Sequence, residues 1–148
     1  MTTLLALDIG GTKVGWGIVE AGDGFVVTER GSIPTEAMRG GADVASRICS
    51  LAASLVASHP SVSGVAVASA GVVDPSTGDI VSATGTMPGW GGTPLGSLLQ
   101  EATGLKVRVL NDVHAHGLGE ATLGAGQPYR SVLSIAVGTG IGGALVED

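Results

Sequence analysis

Lysine is almost absent from this 148-residue sequence: Lys13 and Lys106 are its only two, and seven basic residues face thirteen acidic ones for a net charge of −6. No basic run exists, which argues against nucleic acid as a partner. The single cysteine, Cys49, excludes an internal disulfide and fits a reducing compartment, so a cytoplasmic location is expected. Cys49 lies in an apolar helical pattern and reads as core packing rather than a reactive thiol. Long hydrophobic runs are also lacking. Each apolar stretch is broken by Gly, Asp, Ser or Thr before it could span a bilayer, so neither a transmembrane helix nor a membrane partner is expected. Met1 leads straight into Leu4-Leu5-Ala6-Leu7 without a basic stretch, and Asp8 interrupts the run, unlike a signal peptide.

What is present favours an ordered α/β domain. Hydrophobic residues make up 44% of the chain and charged ones 14%, opposite to the balance of a disordered segment. The 26 glycines have no collagen-like period and point to tight turns or close backbone approach to a ligand. Three apolar segments, Thr3 to Ile9, Lys13 to Val19 and Phe25 to Thr28, are separated by turns with no helix between them and predict an antiparallel meander. Val44, Ile48, Leu51, Leu55 and Val56 recur at spacings of three and four, predicting a helix over 39–58 that ends at His59-Pro60. A buried strand is expected from Val62 to Ala68. A Gly/Pro/Thr-rich stretch from Gly71 to Gly92 follows, long enough to be functional or to carry small elements of its own. Beyond it the pattern gives a short helix with Thr93 as N-cap and Pro94 in its first turn, and a strand from Lys106 to Leu110. A helix from Asn111 to about Leu123 is capped by Asn111, and a last buried strand runs from Ser131 to Val137.

Three features could carry chemistry. Gly10-Gly11-Thr12-Lys13 forms a glycine turn whose N–H groups, hydroxyl and ammonium can all donate to phosphate, and Asp8 just before it could hold hydrated Mg²⁺. The alternative is an ordinary hairpin turn with a nearby aspartate. A second glycine turn, Gly138 to Gly143, would let two loops clamp two ends of a polyphosphate; GxxxxGK(S/T) is absent, so neither is a Walker A loop. Asn111-Asp112 falls where a strand gives way to a helix. Asp112 could accept a proton from an attacking hydroxyl, or both residues could simply cap the helix. Asp112, His116 and Glu120 share a helical face that reads as polar and solvated rather than metal-binding, and His59 reads as a surface residue at a helix end. Trp90 either walls a sugar site or pins its loop to the core.

Taken together, LALDIGGTKVGWGIV, VAVASAGVVDPSTGDIV, MPGWGGTPL, VLNDVHAHGLGEATLGAG and SIAVGTGIGGALV resemble, in order, the motifs of the ROK family (repressors, open reading frames and kinases), which includes bacterial glucokinases and N-acetylmannosamine kinases. The resemblance implies a ribonuclease-H-like, actin/hexokinase-type ATPase fold. Residues 1–123 would form the N-terminal lobe and 124–148 the start of a second, truncated lobe. It implies ATP-dependent phosphorylation of a hexose or N-acetylhexosamine, with ATP and Mg²⁺ as cofactors. Asp112 would be the general base, and Gly71, Thr84 and Asn111 would join it around the sugar. Asp8 would act on Mg²⁺ through water, and Gly10, Gly11, Thr12, Lys13, Gly138, Thr139 and Gly140 would contact ATP phosphates. Catalysis of this kind is mainly positioning and charge stabilisation.

Ala70-Gly71 departs from the family's Pro-Gly pair, and Thr86 stands where many members carry Asn, which bears on sugar identity. The family's Glu-x-Gly-His sugar clamp, zinc site and adenine pocket belong to its second lobe and are not found in these residues. The chain alone is therefore expected to lack kinase turnover, and its exposed cleft face to favour a homo-oligomer. Two rival classes are a non-catalytic sugar-binding or assembly module and a sugar-responsive regulator without its DNA-binding domain. With the hairpin beginning by residue 8, a helix-turn-helix ahead of it is not expected.

Overall fold

The computed structural model describes residues 1–138 and 141–147. Strand β1 (Thr2–Ile9) alternates, burying Leu5, Leu7 and Ile9 and exposing Asp8. β2 (Lys13–Ala21) runs antiparallel to it and β3 (Phe25–Pro34) antiparallel to β2, the expected meander. β3 extends past the expected Thr28, because its pairing continues across a bulge between Ile18 and Val19 until Lys13 stands opposite Pro34. A turn of 3-10 helix, Ala37–Arg39, leads into α1 (Gly41–Ser58). Its buried stripe of Val44, Ala45, Ile48, Ala52 and Leu55 follows the helical period. Cys49 on this helix is half-buried, and burial pushes its thiol pKa up, with Glu101 adding to the effect; it behaves as packing.

β4 (Val62–Ser69) returns parallel to β1. The long Gly71–Gly92 stretch carries a small antiparallel pair of its own, β5 (Val72–Val73) and β6 (Ile80–Ser82). α2 (Leu95–Thr103) follows, but Thr93 is not its cap. The N-cap is Pro94, which makes no side-chain cap bond, while Thr93 is buried in the loop with its carbonyl accepting from Ile80 N and Leu95 N. β7 (Lys106–Asn111) completes a five-stranded sheet of order β3-β2-β1-β4-β7. Alternate residues of β1, β2, β4 and β7 pack with α1, α2, Ile80, Met87 and Trp90 into one core.

Two compact units are present, one through Leu110 and one from Asn111. In the second, α3 (Asp112–Leu123) packs on the antiparallel hairpin of β8 (Ser131–Val137) and β9 (Ile141–Glu147), whereas the sequence reading drew its boundary after Leu123. Gly117 makes this packing close: a Cβ there would lie 2.9 Å from that of Ala144. β8 is not buried as expected. Ser134 and Ala144 are covered, but Leu133, Ile135 and Val137 on β8 and Ile141 and Leu145 on β9 are exposed, because α3 covers only one face of the hairpin. Among the described residues no helix is long and apolar enough to cross a membrane.

His59 ties the end of α1 to β3. Its Nδ1 lies 2.8 Å from the Leu55 carbonyl and its Nε2 2.9 Å from Glu29 Oε2. Both partners are acceptors, and only the imidazolium has two N–H donors, so the backbone bond first and the Glu29 bond second raise the His59 pKa above its ordinary value. A pKa raised on folding adds stability that is fully present below about pH 6.5 and is lost as pH rises through the folded value. The urea midpoint of wild type should therefore exceed that of His59→Gln by more at about pH 5.5 than at about pH 8.5. Equal gaps at the two pH values would contradict the assignment.

Candidate functional site

The parallel register of β1 and β4 sets Ile9 beside Ser69, and Ala70 N donates to Ile9 O at 2.9 Å. The turn after β1 and the loop after β4 thus leave the same edge of the sheet. In the turn, Gly10 N donates to Lys13 O (3.1 Å), and Gly11, Thr12 and Lys13 are exposed. Thr35, buried beneath it, donates from its N to Thr12 O (3.0 Å) and from Oγ1 to Gly10 O (2.6 Å). Sequence reasoning missed Thr35, since a threonine after a strand-ending proline carries no local signal. With two carbonyls occupied below, the exposed hydroxyl of Thr12 and ammonium of Lys13 give the outer side a donor character that suits an anion. Asp8, exposed at the end of β1, lines with Lys13 a depression of about 700 Å³ on the sheet.

Gly71 has φ +100°, and a Cβ there would meet the Ser82 carbonyl at 2.7 Å, so only glycine fits this turn. The Ala70 that replaces the expected proline leaves an N–H, which makes the bond to Ile9 O. The Thr84 and Thr86 hydroxyls are exposed and 2.7 Å apart. The Thr86 backbone lies against Gly11: an added Cβ on Gly11 would be 3.7 Å from Thr86 O. The two loops are therefore neighbours. Trp90 anchors this segment. It is fully buried, and its Nε1 donates to Ser69 Oγ and Ala70 O, both at 3.2 Å, so its ring pins the loop and does not wall an open site.

In the second unit Asn111 is the N-cap of α3, its Oδ1 accepting from Val113 N (3.0 Å) and His114 N (3.2 Å). Asp112, half-buried in the first turn, accepts from Val113 N at 2.9 Å through Oδ1. The geometry thus includes capping for Asn111. Gly138 is exposed at the end of β8. Thr139 and Gly140, also expected to contact phosphate, lie outside the described residues. Among the described residues no group of three or more His, Cys, Asp or Glu side chains is placed to hold a metal ion.

A meander, a parallel return strand and helices on a mixed sheet, with a glycine turn at the sheet edge, define a lobe of the actin/hexokinase ATPase fold. The comparisons agree on the family: residues 4–148 match the ROK family model, and the chain belongs to the ROK family. It is similar to a glucokinase from Halalkalibacterium halodurans, 34% identical over 97% of this chain and 44% of that protein. Among solved structures it resembles an inorganic polyphosphate/ATP-glucomannokinase from Arthrobacter sp. strain KM (TM-score 0.84, 35% identity, 100% of this chain and 59% of that one). It also resembles a ROK family glucokinase from Streptomyces griseus in complex with glucose and AMPPNP (TM-score 0.83, 30% identity, 98% of this chain and 44% of that one). The chain spans a little under half the length of the curated relatives it matches.

Removing the Trp90 ring should loosen the whole 70–92 segment. Trp90→Ala is expected to cost about 3–5 kcal/mol of unfolding free energy, a large part of the total for a domain of this size. Urea denaturation checks this; a loss below about 1 kcal/mol would show that the ring is not the anchor.

Proposed function

We propose that this chain forms the sugar-contacting lobe of an ATP-dependent kinase that phosphorylates a hydroxyl of a hexose or N-acetylhexosamine. The observation that carries the reading is the meeting, at one sheet edge, of an anion-suited turn (Gly10–Lys13) with a loop bearing paired exposed hydroxyls (Thr84 and Thr86). Membership of a family whose matched relatives include glucokinases and β-glucoside kinases supports it.

In this reading the turn amides, the Thr12 hydroxyl and the Lys13 ammonium hold phosphate oxygens, joined by Gly138, Thr139 and Gly140. Asp8 would hold Mg²⁺ through its water shell, the usual manner for that cation. Bound Mg–ATP supplies the transferable phosphoryl group and the charge that neutralises it. Gly71 brings backbone close to the sugar, and Thr84 and Asn111 bond its hydroxyls. Asp112 takes the proton of the attacking hydroxyl, a role worth about 10²–10⁴ in rate. The bond from Val113 N to Asp112 Oδ1 in the first turn of α3 supports this reading, since a restrained carboxylate is a better-positioned proton acceptor.

A coupled assay with ATP and with glucose, N-acetylmannosamine or a β-glucoside tests this. The 148-residue chain by itself is expected to give no turnover above background. In a form carrying both lobes, Asp112→Asn should lower kcat by about 10²–10⁴ while the sugar KM stays within roughly threefold. Unchanged kcat would remove Asp112 as the base, and sugar binding without turnover in the two-lobe wild type would favour the non-catalytic sugar-binding module instead. The likeness to a polyphosphate/ATP-dependent enzyme makes inorganic polyphosphate the second donor to supply.

A further inference from the structure

We propose that Thr35 is a positioning residue for the Gly10–Lys13 turn, setting through its hydroxyl and N–H which way the turn's amides point. The inference rests on the reading of that turn as a phosphate site. Thr35 stands just after β3 and is 1% exposed, so no solvent competes for its bonds. Its Oγ1 takes the Gly10 carbonyl at 2.6 Å and its N the Thr12 carbonyl at 3.0 Å. A trans peptide unit is planar, with C=O and N–H on opposite sides. Holding the Gly10 carbonyl inward therefore turns the Gly11 N–H outward, while the bond to the Thr12 carbonyl fixes the peptide that leads into β2. A backbone donor is thus aimed away from Thr35 before any anion arrives, an orientation that suits a phosphate oxygen.

Thr35 is itself held from α1. Arg47 Nη1 donates to the Thr35 carbonyl at 2.8 Å and Nη2 to the Pro34 carbonyl at 2.9 Å, a two-pronged grip that suits the planar guanidinium. Glu36 follows with φ 52° and ψ 47°, the one non-glycine residue with positive φ among the described residues. Its carboxylate is bound by Arg39 at 3.1 Å and Arg47 at 3.2 Å. A sparsely populated backbone conformation persists where its surroundings over-determine it. Here the surroundings are two arginines, and what they fix is the residue beneath the turn.

The test compares Thr35→Val, which keeps the shape and the backbone N–H but removes the hydroxyl, with Thr35→Ser, which restores it. Amide hydrogen exchange on the 148-residue chain should quicken roughly three- to tenfold at the turn amides of Gly10 and position 35, bonded to Lys13 O and Thr12 O, in Thr35→Val. It should be unchanged in β4 and α1, and return toward wild type in Thr35→Ser. Acceleration spread evenly over the chain, or none at the turn, would overturn the positioning role. Titration with Mg–ATP and with inorganic triphosphate gives the second readout: affinity should fall about three- to tenfold in Thr35→Val and recover in Thr35→Ser. If wild type and Thr35→Val bind equally, the inference fails while the phosphate reading stands. If wild type binds neither probe, the phosphate reading fails first. Should Thr35→Val not fold, Arg47→Gln, altered on a partly exposed side chain, is carried through both measurements with the same direction expected.

Discussion

The parallel pairing of β1 with β4 is the constraint from which the candidate site follows. With Ile9 beside Ser69, the chain must leave both strands at one edge, and the Ala70 N–H bond to Ile9 O closes the gap between the two exits. Every proposed contact of the first unit lies on one of these exits. Parallel neighbours require a crossover connection, and α1 supplies it while burying its stripe on the sheet. The same helix that completes the fold thus also carries Arg47, whose grip reaches the segment under the turn.

The long Gly71–Gly92 stretch shows how a loop of that length is kept in place. It folds a two-strand pair of its own, sends Ile80, Met87 and Trp90 into the core, and uses the indole N–H to satisfy Ser69 and Ala70. Apolar burial holds the loop's interior, and its hydroxyl-bearing tip stays outside. Thr84 and Thr86 are exposed because Met87, the next residue, is buried.

Much of this was legible in the residues. The meander, α1 and its stop at His59-Pro60, and the Asn111 cap rest on local patterns, and the cap depends on two side-chain-to-backbone bonds that spacing alone can foretell. What escaped was non-local. β3 runs on through Arg30-Gly31-Ser32, which has no strand signature, because β2 stays beside it and the Trp16 ring covers Gly31; a Cβ there would come within 2.6 Å of that ring. Thr93 looked like a cap from its neighbours, yet Ile80, thirteen residues earlier, claims its carbonyl. β8 read as buried from its apolar content, but burial depends on what packs against each face, and α3 reaches one only. Thr35 went unnoticed for the same reason, since its partners lie 23 and 25 residues away in sequence.

The glycine content ties these strands of argument together. Glycine allows close backbone approach and positive φ, but each one adds conformational freedom that folding must remove. A turn built on Gly10 and Gly11 has no Cβ atoms to restrict it, so its geometry has to be imposed from outside. In this chain the restraint comes from hydrogen bonds to carbonyl oxygens: Thr35 on Gly10 and Thr12, Arg47 on Pro34 and Thr35, Trp90 on Ala70. Fixing a carbonyl also fixes the amide on the far side of the same peptide plane. In a chain with two lysines the turn's direction is thus set from beneath, by Thr35 on Gly10 and Thr12 and by Arg47 on Thr35 and Pro34.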